Sequence, residues 1–416
     1  MNSAIGNRET AGGANRPIPG AAKLVRASAK PLYSRAAQES PYWNEPLETM
    51  PRPELDAMHL RRLKGLIHYA YHNIPMYREI YDKAGVKPED IRTLDDYVKK
   101  LPSLDKSDVT FYQKQGKTTV PRSEEHVTFM YQTSGTSGNI VLEPGYYPDL
   151  VNNWTYQWWA HGIRPSDTYY FAFPFGTFMA FWFAYQDALL LGGQTITGGG
   201  VDTKTRVLQI RQFRPTVLVA TPTYALRLAE VAREIGVDPR STSVRIVTTA
   251  GEPGAIVPAI RRAIEEAWDA KALDLYGLSE LWGSTSWECP NHQDRMHLSE
   301  ASAYGIVVDD NGELVADGGK GEFVLTSYEA TVQPLIKYRT HDLVEWHKQA
   351  CDCGRTWLSL RGGVLARTDQ MVSVKGTNVY PTSVQVLLGE VRGLSERVEI
   401  HINGGDAVPT TVAVKV

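Results

Sequence analysis

Several short runs in this chain carry residue types whose spacing suits chemistry. Thr133 opens "TSGTSG", in which Ser134, Gly135, Thr136, Ser137 and Gly138 stand together. Successive Gly, Ser and Thr amides can form a concave anion nest, and the hydroxyls add donors without bulk. A strand-like "TFMYQ" precedes the run and an extended "IVLEP" follows it. The lysine of a G-x-x-x-x-G-K-[ST] loop is absent, and Asn139 follows the last glycine. The same composition also suits a plain flexible linker. In "DLYGLSELWG", Glu280 follows a Gly-containing turn at a strand end. A carboxylate there can hold Mg2+, which bridges substrate phosphates, and Tyr276 can stack on a flat ring. The bland alternative is a surface Glu at a helix start. In "PLIKYRTHDLVEW", Asp342 closely follows Arg339. Its carboxylate suits two ribose hydroxyls, or a structural Arg–Asp pair. Arg367 and Asp369 lie in a polar break that reads as a hinge or as a rigid turn.

The cysteines are three: Cys289, Cys351 and Cys353. An odd count without a secretory signal argues against a disulfide framework. With His297, or alternatively His292, they would complete a tetrahedral three-cysteine, one-histidine set, a structural zinc pattern. Three unrelated thiols are the alternative. The run "FAFPFGTFMAFWFAYQDALLLGG" is strongly aromatic. Phe178, Phe181, Trp182 and Tyr185 recur at helical spacing, which suits ordinary core. Phe173, Phe175 and Gly176 precede that helix at a strand end. With Phe178 and Trp182 they form a candidate pocket for a planar acid, since apolar aromatic walls with few polar groups fit one.

These residues need a scaffold. Residues 55–84 read as an amphipathic helix, with Leu60, Leu63, Leu66, Ile67 and Tyr71 on one stripe and a break at Pro75. Gly85 would end the second piece. From Pro215 the pattern is β-α-β-α-β: strands at 215–222, 244–249 and 272–275, with helices between them. That order predicts a parallel sheet with helical crossovers, whose ligands sit beyond the carboxyl ends of the strands. "AGEPG" and "YGLSE" fall there. After Glu280 short β runs alternate with turn signals at Asp310-Asn311-Gly312 and Gly318-Gly319, which predicts an antiparallel lobe. A hairpin-like pair, Pro381, a helix and two strands close the chain, and that last domain reads as incomplete. The expected organisation is a loose tail over 1–30, an α/β domain over 31–366 with its β-rich lobe at about 300–366, a hinge at 367–369 and a small α+β domain over 370–416.

At 416 residues, 42% hydrophobic and 22% charged, the chain has an ordinary globular composition. A formal net charge of -3 offers no bulk field for nucleic acid or anionic membrane. No apolar run is long enough to span a bilayer, and the N-terminus lacks an apolar signal region. A cytoplasmic protein is expected.

The order of the runs is more specific than any one of them. "TSGTSG", "AGEPG", "YGLSE", "YRTHDL" and "ARTDQMVSVKGTNVYP" together resemble the adenylate-forming enzymes, most closely their phenylacetate–CoA ligase branch. The resemblance covers about Tyr42 to the end. It implies that Ser134–Gly138 cradle the ATP phosphates, and that Gly251, Glu252 and Pro253 border the adenine with Tyr276 and Gly277. Ser279 would meet the α-phosphate and Glu280 would hold Mg2+. Asp342 would bind the ribose, aided by Arg367, and Asp369 would be the pivot of a swinging small domain. The implied activity is ATP-dependent ligation of an aromatic carboxylic acid to coenzyme A through an acyl-adenylate, with structural Zn2+ at the cysteines. Same-fold adenylyl transfer without CoA and a non-catalytic nucleotide-binding homologue are the rival readings. A homodimer follows only from the resemblance and from how common two-fold assemblies are. The chain departs from the pattern at Asn139, at His341, in the aromatic run, and in lacking a motif lysine near its C-terminus, Lys415 not being in that motif.

Overall fold

The computed structural model describes residues 34–119, 129–133, 140–146, 153–177, 179–281, 283–368, 372–374, 377–379, 399–405 and 408–415. Ser134–Gly138, Asn139, Phe178, Asp369, the expected tail and the helix expected after Pro381 lie outside these. The helix Arg35–Glu39 falls in a first unit ending at Ser40; every other element belongs to a second, from Pro41.

Helix α1 spans Arg52–Asn73 and α2 spans Pro75–Ala84, broken at Pro75 as its ring requires. Gly85 ends α2 at φ 68, a left-handed position that glycine adopts without strain. The buried stripe of α1 is Leu55, His59, Leu63, Ile67 and Ala70. Leu60, Leu66 and Tyr71 of the expected stripe are only half-buried. The face turned because His59 is satisfied inside: its Nδ1 meets Tyr328 Oη at 2.9 Å and its Nε2 meets Glu300 Oε1 at 3.2 Å. A buried polar group with such partners costs little, so it can occupy a core position. Helices α3 (Leu94–Lys100) and α4 (Lys106–Gln113) follow, N-capped by Thr93 and Asp105.

Strands β1 (Phe129–Gln132) and β2 (Leu142–Gly145) pair antiparallel as the stem of the Ser/Gly run. Next come α5 (Asn153–Ala160), β3 (Thr168–Phe171), α6 (Met179–Leu191), β4 (Gln194–Thr197), α7 (Thr203–Phe213), β5 (Val217–Ala220), α8 (Pro222–Glu234), β6 (Ile246–Thr249), α9 (Pro258–Trp268) and β7 (Lys271–Leu278). The antiparallel strands are β8 (Gly283–Glu288), β9 (Arg295–Leu298), β10 (Ala303–Val308), β11 (Lys320–Ser327), β12 (Tyr338–His347) and β13 (Ser359–Arg367). Strands β3 to β13 join one 11-stranded sheet, in the order β10-β11-β12-β13-β9-β8-β7-β6-β5-β3-β4. Its β4-β3-β5-β6-β7 half is parallel, as the alternation predicts, and the rest is antiparallel. The antiparallel part starts at Gly283 and continues the same sheet. Two hairpins complete the described chain: β14 (Val372–Val374) with β15 (Thr377–Val379), and β16 (Glu399–Gly405) with β17 (Val408–Lys415).

Parallel sheets are covered on both faces, which is why β5 is an unbroken apolar run and every residue of β5 and β6 is buried. Tyr170, Leu218 and Val247 face a core with Leu228, Ile264 and Trp268 from α8 and α9. One residue back, Tyr169 turns to the opposite face, its ring 4.8 Å from that of Trp158 on α5. A second core packs α1–α4 on the antiparallel half, through Leu63, Ile67, Tyr77, Tyr97, Phe323 and Val344. No described helix is long and apolar enough to cross a membrane.

Candidate active site

The site forms where the sheet changes from parallel to antiparallel. Residues 271–274 of β7 pair with β6, and residues 275–278 pair with β8, with a register shift between Tyr276 and Gly277. Such a switch leaves a crevice beyond the strand ends. The expected turn through Tyr276 and Gly277 is therefore strand, because β8 supplies partners there. The break comes later, in a 3-10 turn at Ser279–Leu281. Gly277 is exposed and Ser279 half-buried beside it.

Tyr276, Asp342 and Arg367 join directly. The Tyr276 hydroxyl donates to Asp342 Oδ2 at 2.5 Å, and Arg367 Nη1 donates to Asp342 Oδ1 at 3.0 Å. Burial, then the Asp342 charge, pushes the Tyr276 phenol well up. Asp342 and Arg367 are register partners across β12 and β13. Alternation on β12 buries Asp342 and leaves Arg339 and His341 on the half-exposed side. The neighbouring Arg339 thus pairs with Glu322, at 3.0 Å from Nε, and the cation at Asp342 is the distant Arg367.

Glu280 holds a cation of its own: Lys106 Nζ lies 2.9 Å from its Oε1. Lys106 is the first residue of α4, and its N-cap Asp105 accepts the Ser107 amide at 2.9 Å. His341 Nε2 reaches Asp105 Oδ2 at 2.8 Å and holds that carboxyl well below the usual range. His341 also has φ 61, strained for a residue with a Cβ. His341 and Glu280 thus each pair with one of two adjacent residues, Asp105 and Lys106. Tyr338, buried and raised, feels the charges of Glu280, Asp105, Arg367 and Glu143. Glu143 on β2 is buried, and among the described residues neither of its oxygens has a hydrogen-bond partner.

The loop after β6 carries the expected adenine border. Gly251 has φ 90, a conformation that favours glycine. Exposed Glu252 accepts from Thr223 Oγ1 at 2.8 Å, and Pro253 is exposed beside it. Asp274, at the point where β7 changes partner, clamps this loop through the amides of Gly254 at 3.1 Å and Ile256 at 2.9 Å. Burial pushes the Asp274 carboxyl up to about 6. A side chain at Gly254 would meet Thr249 and Asp274 oxygens at 2.5 and 2.7 Å, so only glycine fits.

Of the aromatic candidates, Phe173 is buried, Phe175 half-buried and Gly176 exposed. Trp182 Nε1 donates to Gly176 O at 2.9 Å and its ring lies 4.7 Å from that of Phe175. Phe173 stacks on Phe181. These rings fill much of one another's space, so core and pocket readings both apply. The Thr177 carbonyl accepts the Gln132 amide at 3.1 Å, which brings this turn beside the stem of the Ser/Gly run.

The cysteines do converge. Ligand atoms of Cys289, His297, Cys351 and Cys353 all lie within 4.8 Å of one another. Cys289 Sγ is 3.7 Å from Cys351 Sγ, and Cys353 Sγ is 3.3 Å from His297 Nε2. Tetrahedral zinc with Zn–S bonds of about 2.3 Å separates sulfurs by roughly 3.8 Å, so the set fits zinc. Arg295 and Arg355 each place a guanidinium nitrogen 3.8 Å from a sulfur, which favours thiolates. His292 falls in a second group with Cys351 and Asp352, its Nε2 2.7 Å from Asp352 Oδ1. Among the described residues no partner meets the buried His297 Nδ1.

Sequence reasoning missed Lys106, Asp274, Tyr338 and Glu143. Asp274 and Tyr338 lie inside quoted runs and Glu143 in the extended one just after the Ser/Gly run, but their residue types gave them no role there, and Lys106 meets Glu280 only through the fold. A cavity of about 180 Å³ lined by Arg52, Glu300, Tyr304 and Trp346 lies elsewhere.

A family model described as AMP-binding enzyme matches residues 64–331. The phenylacetate-coenzyme A ligase of Thermus thermophilus is 35% identical over 82% of this chain and 77% of its own length. That of Escherichia coli is 32% identical over 86% and 82%. The solved structure of a 2-hydroxyisobutyryl-CoA ligase in the postadenylation state, in complex with 2-HIB-AMP, superposes with a TM-score of 0.84 at 28% identity, covering 91% of this chain and 81% of that one. The chain belongs to the AMP-binding, adenylate-forming enzymes, in their phenylacetate–CoA ligase-like branch.

Proposed function

We propose that this chain is an ATP-dependent aryl or arylacetic acid–CoA ligase. A carboxylate oxygen attacks the α-phosphorus of ATP, and the bond to the bridging oxygen breaks. This yields an acyl-adenylate and pyrophosphate. The CoA sulfur then attacks the acyl carbon, the thiol proton is lost, and AMP leaves with the former carboxylate oxygen. The observation that carries the reading is the union of Tyr276, Asp342 and Arg367 beside the Glu280–Lys106 pair, in a chain whose relatives are phenylacetate–CoA ligases.

Each residue has a physical task. Asp342 presents a buried carboxyl group that suits ribose hydroxyls, and Arg367 aims it through a hydrogen bond. Tyr276 offers a flat ring edge-fixed by its hydrogen bond to Asp342. Glu252 and Pro253 border the base, with Gly251 setting the turn. Ser134–Gly138 supply amides and hydroxyls to the phosphates, and Lys106 brings positive charge that Asn139 does not. Ser279 would meet the α-phosphate. Glu280, an oxygen ligand on the turn after β7, fits Mg2+, which when bound would neutralise the triphosphate charge. Phe173, Phe175, Gly176, Phe178 and Trp182 wall a planar acid. The cluster of Cys289, His297, Cys351 and Cys353 would hold structural Zn2+ with no open position. Asp369 is the proposed hinge between residues 31–366 and the small domain from 370. A cytoplasmic location, where ATP and CoA are available, and a homodimer belong to the same reading.

ATP–pyrophosphate exchange tests it. Exchange should depend on phenylacetate, a benzoate or an indole acid, and CoA should then give the thioester. Exchange with 2-hydroxyisobutyrate alone would overturn the aromatic assignment. AMP formation with no thioester would overturn CoA as acceptor.

A further inference from the structure

The reading above gives His341 no task, although the chain departs from its motif there. Its backbone is held at φ 61, a left-handed position that a residue with a Cβ adopts at a cost. Such a conformation persists where its surroundings over-determine it. The His341 amide donates to Glu322 Oε1 at 3.1 Å, and its carbonyl accepts from Thr368 Oγ1 at 3.2 Å. Its Nδ1 lies 3.3 Å from the same Glu322 oxygen. The other ring nitrogen, Nε2, then donates to Asp105 Oδ2 at 2.8 Å. Glycine would take this backbone freely but could make no such contact.

Asp105 is the N-cap of α4, and its two oxygens divide between helix and sheet. Oδ1 accepts the Ser107 amide at 2.9 Å, while Oδ2 takes the imidazole. The preceding residue is tied to the same stretch of chain. Leu104 N donates to Lys337 O at 2.9 Å, and Leu104 O accepts the Arg339 amide at 2.9 Å. Leu104 and Asp105 are thus fixed against residues 337–341. The N-cap sets the direction in which its helix starts, and Lys106 is the first helical residue. A lysine ammonium rides on a flexible four-carbon stem, so its place depends on how firmly its backbone is held. Here Lys106 Nζ comes to 2.9 Å from Glu280 Oε1.

We propose that His341 is a positioning residue for the ligase reaction: by gripping the N-cap of α4 it places the Lys106 ammonium beside Glu280 and the nucleotide phosphates. The phosphate part rests on the ligase reading, and the grip on Lys106 does not. His341 acts through Asp105 and touches no reacting atom. The strained backbone is kept because only a side chain can reach Asp105 from this position.

Competitive lysine labelling with acetic anhydride, read by peptide mass spectrometry on the full chain, tests the grip without substrate. Lys114, exposed beyond the far end of α4, is the internal reference. His341→Gly keeps the left-handed backbone and removes the imidazole. It should speed labelling of Lys106 relative to Lys114 roughly three-fold or more, the scale of a half-buried ion pair, with a wild-type circular dichroism spectrum. Asp105→Asn still caps the helix and should speed labelling in the same way. His341→Gln, which returns an N–H near the place of Nε2, should bring labelling back toward wild type. In pyrophosphate exchange, His341→Gly should lower kcat/KM for ATP about ten-fold, and that loss should vanish in a Lys106→Met background. Unchanged Lys106 labelling in both His341→Gly and Asp105→Asn overturns the proposal, whatever the enzyme does. An equal loss of exchange with and without Lys106 overturns it too. Faster labelling in a chain that shows no acid-dependent exchange supports the grip and overturns the ligase reading instead.

Discussion

At the scale of single residues, the site depends on pairs that sequence neighbours do not reveal. Asp342 and Arg339 are near one another in the chain, yet the pair that forms is Asp342 with Arg367. Strand alternation turns Arg339 to the other face, and antiparallel register brings Arg367 in. Charge-assisted hydrogen bonds of this kind are worth about 1.5–3 kcal/mol each. Asp342→Asn should therefore raise the KM for ATP on the order of ten- to hundred-fold, with a smaller effect on kcat. Steady-state kinetics with saturating acid would check this, and an unchanged KM would remove Asp342 from the ribose site. The cysteines behave differently. Their types alone suggested a metal set, but only the fold chose His297 over His292. Purified protein should contain about one zinc per chain, and Cys353→Ser should lower both zinc content and the unfolding midpoint. Metal analysis showing clearly sub-stoichiometric zinc in unchelated protein would reject the site.

At the scale of elements, the strongest periodicities were legible and the exceptions have causes. Pro75 and Gly85 placed the ends of α2 because both act through local backbone geometry. The α1 stripe was rotated by His59, whose burial depends on Glu300 and Tyr328 far along the chain. Strand β7 ran past its expected end because β8 pairs with its second half. The Glu300 cluster ties α1 to the antiparallel half: Arg52 Nη1 donates at 2.8 Å, and the Leu358 amide donates at 2.7 Å. Burial alone would raise the Glu300 carboxyl, but His59 and Arg52 more than offset it and hold it at about 2. A carboxyl depressed in the fold stabilises it above its unfolded pKa. That contribution is lost as pH falls from about 4.3 toward about 2, and its full size is roughly 3 kcal/mol. Glu300→Gln should be less stable at neutral pH and lose less further stability on acidification. Urea unfolding from about pH 6 to about pH 3 would show it; parallel pH curves for the two proteins would contradict it.

At the scale of the whole molecule, one sheet carries both halves of the chemistry. Its parallel half brings the β6 loop and its antiparallel half brings Asp342 and Arg367, with β7 belonging to both. If the region from residue 370 swings about Asp369, the two half-reactions need different arrangements. Asp369→Pro should then leave acid-dependent pyrophosphate exchange within a few-fold of wild type and cut thioester formation more than ten-fold. Equal losses in both half-reactions would argue against a hinge there. The sequence by itself determined the α/β class, the parallel order after Pro215, the family and most of the residues that gather at the site, because periodicity, glycine turns and ordered motifs are local properties. Only the tertiary structure decided which of those residues touch. It joined Asp342 to Arg367, set Lys106 against Glu280, clamped the β6 loop with Asp274 and left Glu143 buried with no hydrogen-bond partner among the described residues. Each of these rests on strand register, packing or desolvation, quantities that exist only once distant segments have come together.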